Sequence, residues 1–202
     1  MVDSAIDVSR ETEERLRHFL ALLRKWSTKI NLVAKSTIDD AWDRHVLDSL
    51  QILNFAPEEP KVWLDIGTGA GFPGLVLAIA TVNRARSPKF ILMESDQRKC
   101  AFLRTVIREL EVKAEVKQAR IEESDPITSD VISARALASL PALLAFAKRH
   151  SHENTVALFP KGRSWREEIE QAALHWRFKH TVHPSKTDPE AVILRIEDFE
   201  HV

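Results

Sequence analysis

The stretch Leu64-Asp65-Ile66-Gly67-Thr68-Gly69-Ala70-Gly71-Phe72-Pro73-Gly74 holds four of the five glycines in the chain. An apolar run, Val62 to Ile66, feeds it. Pro73 suits the first turn of a following helix, where a missing N–H costs nothing. Glycines let the backbone turn tightly and let a ligand approach the main chain closely. The stretch therefore reads as a ligand cradle, and in open α/β sheets such a cradle lies at the carboxyl ends of the strands. Its spacing disfavours two phosphate chemistries. A dinucleotide fingerprint needs a third glycine at position 72, which is Phe72. A P-loop needs Lys and then Ser or Thr after its second glycine; Gly69 and Gly74 have the spacing, but Leu75 and Val76 follow. Asp65 suits a cationic ligand better than a pyrophosphate. A second apolar run, Phe90 to Met93, ends in Glu94. A carboxylate at the end of a second strand can accept hydrogen bonds from both hydroxyls of a ribose. In isolation, a glycine turn that merely packs helix on strand and a solvated strand-end acid would read the same way.

Two further groupings carry charge. Arg44, His45 and Asp48 fall on neighbouring turns of one expected helix, with Arg44 and Asp48 spaced i, i+4. The bland alternative is a surface ion pair, worth only tenths of a kcal/mol. Lys161-Gly162-Arg163 follows a strand candidate and precedes a helix, so it should share a rim with the glycine loop. No nucleophile–base pair is evident, and no catalytic acid or base is assigned. No metal site is expected: there is no HExxH, and the eight histidines are scattered without matching cysteines. The single cysteine, Cys100, excludes an intramolecular disulfide framework and fits a reducing compartment.

The 202 residues are 44% apolar and 29% charged with a formal net charge of −1, which is ordinary globular usage. A global basic field is excluded, so any nucleic-acid surface must be a local patch. The polar start, Met1 to Arg10, lacks the pattern of a secretory signal. The apolar run Leu75–Ala80 is far short of the roughly 20 residues that span a membrane. These features predict a soluble, cytoplasmic protein.

The elements that must position these residues follow from periodicity. A helix is predicted over 9–25, with Ser9 as N-cap and Leu16, Phe19, Leu20 and Leu23 on one stripe. A second is predicted over 38–54, burying Trp42, Val46, Ser49, Leu50 and Leu53. Pro57 and Pro60 then break the chain. From Lys61, strand candidates (61–66, 89–94, 113–117, 130–133, 155–159) alternate with helices (73–83, 97–110, 137–149, 164–176). This alternation argues for βαβ units and a parallel sheet. The end differs: Phe178–Val182 and Ala191–Ile196 read as an antiparallel hairpin closing the sheet edge. The expected division is an N-terminal helical extension, 1–57, and a ligand-binding domain, 58–202.

The glycine loop, Glu94 and the reversed tail together resemble the class I S-adenosylmethionine-dependent methyltransferases. Their α/β fold is a Rossmann-like sheet, mostly parallel, with a C-terminal antiparallel hairpin. Three more segments, with Trp26, Asn31 and Leu32, narrow the likeness: Arg44-His45-Val46-Leu47-Asp48-Ser49-Leu50, Val131-Ile132-Ser133-Ala134-Arg135-Ala136 and Phe159-Pro160-Lys161-Gly162. With these, residues 20–196 resemble the bacterial RsmG (GidB) family, whose members methylate N7 of a guanosine in small-subunit 16S ribosomal RNA. Many members carry Ser directly before the Arg of the middle motif, and here Ala134 intervenes.

The resemblance implies S-adenosylmethionine as cofactor. It implies cofactor contacts from Gly67 and Phe72, with Asp65, Gly69, Gly71 and Glu94 in the same site. Ile121 would offer an apolar face to the adenine, Glu122 a polar contact, and Arg135 would stand beside the methionine end. It implies the small ribosomal subunit or its RNA as partner, no membrane, and a monomer. Arg44, His45, Asp48, Lys161 and Arg163 become the candidates for RNA. Guanine N7 already carries a free lone pair, so this chemistry needs no general base; orientation and charge stabilisation suffice.

Overall fold

The computed structural model describes residues 8–34 and 37–202. Met1–Asp7, part of the polar start and of the expected extension, lies outside the described residues. The elements run α1 (Arg10–Ser27), a π-helical turn (Trp42–Leu47), α2 (Asp48–Leu50), a 3-10 turn (Gln51–Phe55), β1 (Val62–Ile66), α3 (Gly74–Thr81), β2 (Lys89–Glu94), α4 (Gln97–Glu109), β3 (Ala114–Gln118), β4 (Ser129–Ser133), α5 (Leu140–His150), β5 (Ser151–Lys161), α6 (Trp165–Ala173), β6 (Trp176–Pro184) and β7 (Val192–His201). The strands form one seven-stranded sheet in the order β3-β2-β1-β4-β5-β7-β6. The first five are parallel, and β7 runs antiparallel to both β5 and β6. β1 sits centrally, pairing Leu64 with Ile91 of β2 and with Ile132 of β4.

Both faces of the sheet are covered, which is why the central strands read as nearly continuous apolar runs. Trp63, Phe90, Leu92, Val131 and Leu158 pack beneath α1, α3 and α4. Leu64, Ile66, Ile91, Ile132 and Phe159 pack against α5 and α6. The N-terminal helix belongs to the first of these cores. Its Phe19 ring lies 5.4 Å from Phe72 and 6.3 Å from Phe102, and Trp26 lies 5.7 Å from Phe102. Helix ends are fixed as the sequence suggests: Ser9 Oγ accepts from Thr12 N, and Asp96 Oδ1 accepts from Arg98 N and Lys99 N, each satisfying an orphan donor of a first turn.

The structure departs from the sequence reading in three respects. The expected regular helix over 38–54 is instead the π, α and 3-10 succession from Trp42 to Phe55. Its four consecutive residues Ser49, Leu50, Gln51 and Ile52 are all buried, more than one stripe of a regular α-helix can hide. The helix expected from Leu137 begins at Leu140. Ala136, at φ 52°, lies outside helical backbone, and Pro141 favours the first turn. The outer strands β5, β6 and β7 extend beyond their apolar centres, because a half-exposed antiparallel pair carries polar residues as readily. Among the described residues no helix is long and apolar enough to cross a membrane.

Candidate cofactor and substrate site

The glycine loop leaves β1 and turns at three successive glycines of positive φ: Gly67 at 64°, Gly69 at 58° and Gly71 at 98°. Asp65 fixes this turn from below. It is fully buried, and its Oδ2 accepts from Gly74 N at 3.0 Å. Its Oδ1 accepts from Ser133 Oγ at 2.6 Å, which in turn accepts from Trp63 Nε1 at 2.9 Å. One carboxylate thus ties β1, the start of α3 and β4 together. Burial, only partly offset by the Ser133 hydroxyl, raises its pKa to about 6. The cationic-ligand role expected of Asp65 is not what its position offers: both oxygens are engaged and the side chain does not reach the cavity above.

That cavity, about 520 Å³, lies at the carboxyl ends of β1, β2, β3 and β4, at the switch point where ligands sit in open α/β sheets. Gly67, Gly69, Phe72, Glu94, Ile121, Glu122 and Arg135 all line it, while Gly71 does not. Glu94 is 8% exposed. Its Oε2 accepts from Gly69 N at 3.0 Å, and its Oε1 from Ser95 N and Asp96 N at 2.8 Å each. A carboxylate has about four acceptor positions, so one on Oε2 is left over. Thr68, also in the wall, has a buried hydroxyl. Leu32, Thr68, Lys99 and Phe146 belong to the wall as well. Of these Leu32 and Thr68 stood in segments that the sequence singled out, whereas Lys99 and Phe146 come from α4 and α5, whose pattern shows nothing but a helix.

A second concavity, a groove of about 630 Å³, runs beside the first. The π-turn supplies Arg44 and His45, the start of α2 supplies Asp48, the end of β5 supplies Lys161, and the β6–β7 loop supplies Ser185, Thr187 and Asp188. The two concavities share Arg135 and Ala136. Arg135 donates to Asp48 Oδ2 and to the Arg44 carbonyl, each at 3.2 Å, and its guanidinium lies 4.9 Å from the Phe72 ring centre. Desolvation is the largest influence on it and lowers its pKa, and Asp48 opposes this. The His45 ring centre lies 4.9 Å from that of Phe72, the two planes tilted by 38°. Burial, and then the Arg135 charge, push its pKa down to about 4, so it is a neutral ring at physiological pH and offers stacking and hydrogen bonding rather than charge.

The structure brings Asp48 to Arg135 instead of to Arg44, so the i, i+4 pair read from the sequence does not form. The side chains of Arg44 and Arg163 are exposed. Lys161 differs from the phosphate-binding cation expected: its ammonium is committed to Glu168 Oε2 at 2.6 Å and the Ala138 carbonyl at 3.0 Å, with only 8% of the side chain exposed. Sequence reasoning also missed Gln51. Its polar amide interrupts an apolar helical stretch and was the available signal. Among the described residues no group of three or more His, Cys, Asp or Glu side chains could hold a metal ion.

The family model described as GidB, rRNA small subunit methyltransferase G, matches residues 12–191. A Ribosomal RNA small subunit methyltransferase G of a Ruegeria species is 51% identical over 197 residues, covering 98% of this chain and 96% of the relative. One from Cereibacter sphaeroides is 50% identical with the same coverage. Among solved structures, a TehB-like SAM-dependent methyltransferase from Corynebacterium glutamicum superposes with a TM-score of 0.59 at 12% identity, covering 90% of this chain and 98% of that one. The M. jannaschii TYW2 structure in complex with AdoMet gives 0.58 at 14% identity, covering 87% and 80%. These structural likenesses establish the fold, and the sequence matches establish the family: the chain belongs to the rRNA small subunit methyltransferase G (GidB) family.

Proposed function

We propose that this chain transfers a methyl group from S-adenosylmethionine to N7 of a guanosine in 16S ribosomal RNA, acting as a cytoplasmic monomer on the small subunit or its RNA. One observation carries the reading: the loop cavity and the groove meet at Arg135 and Ala136, so ligands in the two would face each other across these two residues. The cavity fits the cofactor. Its volume falls in the range of about 300–1,000 Å³ that small ligands use, and a Cβ at Gly69 would meet only the Gly67 carbonyl, at 3.9 Å. In this reading Ile121 and Glu122 hold the adenine, and Glu94 takes a ribose hydroxyl on its spare acceptor position. Gly67, Phe72 and Arg135 bound the methionine end. Residues 1–57 form an extension to the binding unit 58–202, and its described part roofs the site.

S-adenosylmethionine supplies an electrophilic methyl group on a positively charged sulfur. The residues of the chain have to align and enclose. Phe72, buried between His45 and Arg135, backs a wall on which His45 and Arg135 are the groups placed to meet a purine. Asp48, held between Arg135 and the β6–β7 loop, supplies negative charge near a purine that becomes cationic on methylation. No residue has to remove a proton before attack. Arg44 and Arg163, both exposed, are the side chains available to phosphate. The test is incubation with labelled cofactor and undermethylated small subunits, followed by mapping of the labelled base. Label on a guanosine N7 is expected. A chain that binds cofactor but labels no RNA, or another atom, refutes the proposal.

A further inference from the structure

Arg135 is held by a carboxylate that is itself held from the far side of the groove. Asp48 presents Oδ2 to Arg135 at 3.2 Å, while its Oδ1 accepts from Thr187 Oγ at 2.9 Å and from Gln51 Nε2 at 3.0 Å. Gln51 is 1% exposed. Its Nε2 also lies 3.1 Å from Ser185 Oγ, and its Oε1 accepts from Lys186 N at 2.9 Å. Ser185 Oγ and Thr187 Oγ are 3.0 Å apart. With the Thr187 proton given to Asp48, Ser185 must be the donor of that pair, so the hydroxyl chain has one direction: Ser185 to Thr187 to Asp48. The Asp48 and Arg135 side chains are only 18% and 16% exposed, so water cannot freely replace these bonds, and an ion pair so sheltered is sensitive to the orientation of its partners.

We propose that Thr187 is a positioning residue: through Asp48 it sets the place of Arg135 at the wall between cavity and groove. The β6–β7 loop, 52 positions further along the chain than Arg135, thereby fixes the reaction geometry without touching a reacting atom. The inference rests on the proposed function for its kinetic consequence, but not for its structural one. Removing the hydroxyl leaves Asp48 Oδ1 held by Gln51 Nε2 alone, so the carboxylate can turn about that single bond, and small displacements of an orienting group cost rate more than binding.

The experiment compares Thr187→Val, which keeps the shape, with Thr187→Ser, which keeps the hydroxyl, each alone and combined with Arg135→Lys. Methyl transfer to undermethylated small subunits should show kcat reduced about tenfold or more in Thr187→Val, the scale of a lost hydrogen bond to a charged group. KM for the subunits should stay within about twofold, and Thr187→Ser should restore the rate. In the Arg135→Lys background, Thr187→Val should cost little more. Urea denaturation of the wild type, Thr187→Val, Arg135→Lys and the double variant, without substrate or cofactor, should show Thr187→Val and Arg135→Lys to be non-additive by about twofold or more in the folding equilibrium constant. Additivity in denaturation refutes the relay whether or not the chain acts on RNA. A raised KM with unchanged kcat also refutes it and makes the loop a plain RNA contact. Non-additive stabilities in a wild type that transfers no methyl group support the relay and refute the proposed function alone.

Discussion

Replacing Glu94 by Gln tests the cofactor cavity at its most connected residue. The carboxylate accepts three backbone N–H groups, from Gly69, Ser95 and Asp96. A glutamine keeps one carbonyl oxygen, enough for Ser95 and Asp96, but turns an NH2 toward the Gly69 N–H. One donor then faces another, and losing that bond should cost about 1–3 kcal/mol of stability. If the remaining acceptor position of Glu94 holds a ribose hydroxyl, the same change removes a charge-assisted bond to the ligand. That is worth about 1.5–3 kcal/mol, or roughly 10- to 150-fold in affinity. Loosening of the loop alone could imitate such a loss, so the assay needs two ligands. Calorimetry with S-adenosylhomocysteine and with its analogue lacking the ribose 2′-hydroxyl separates the two causes. The wild type should lose affinity for the analogue, and Glu94→Gln should hardly distinguish it. A folded variant that discriminates as the wild type does would refute the reasoning and leave Glu94 as an anchor of the loop only.

Lys161→Ala should destabilise the fold by about 2–4 kcal/mol in urea denaturation, because Glu168 is left with the Leu140 N–H alone; the figure stays below that of a fully buried pair since Glu168 is partly exposed. Arg163→Ala should leave stability unchanged and make the salt dependence of subunit binding shallower by roughly 0.7–0.9 in log–log slope; an unaltered slope would remove it from the RNA surface. Asp65 has a folded pKa raised from 3.8 to about 6, so its stabilising contribution is complete below pH 3.8 and is lost as pH rises through 6. Asp65→Asn should therefore flatten the pH dependence of stability between those limits by up to about 3 kcal/mol, and an unchanged profile would contradict the assignment. Gly67→Ala puts a Cβ 2.6 Å from Leu137 Cδ1 at φ 64°, and should weaken cofactor binding measurably by calorimetry; adding Leu137→Ala should recover the steric part and leave roughly 1 kcal/mol of backbone strain.

The parts of this architecture that were legible in the sequence are those with a repeating period or a fixed local chemistry. β2 was read residue for residue, because it is buried on both faces and ends at a turn. The Ser9 cap and the stripe through Leu16, Phe19 and Leu23 marked α1 for the same kind of reason. The segment from Trp42 to Phe55 was not legible as built, since its burial, with Ser49 to Ile52 all buried in a row, has no single period. At the site, the glycine loop and Glu94 could be found because backbone turns and strand ends constrain residue type. The commitment of Asp48 to Arg135 and of Lys161 to Glu168 could not. A charge beside a groove and a charge paired beneath it look alike until the partner, 87 residues away for Asp48, is brought to it by the sheet order.

The position of β7 between β5 and β6 has a consequence for a chain emerging from its own ribosome. β6 has no neighbour except β7, and β7 follows it in sequence. Until Val192 and the residues after it are available, β5 is an open sheet edge and β6 is a strand without a mate, the kind of unpaired edge that invites association with other chains. The walls of the loop cavity come from segments that end at Phe146 and are all present by then. The groove is different, since part of its wall is Ala191, Val192 and Ile193. Chain order alone therefore makes the walls of the loop cavity available in the nascent protein before those of the groove.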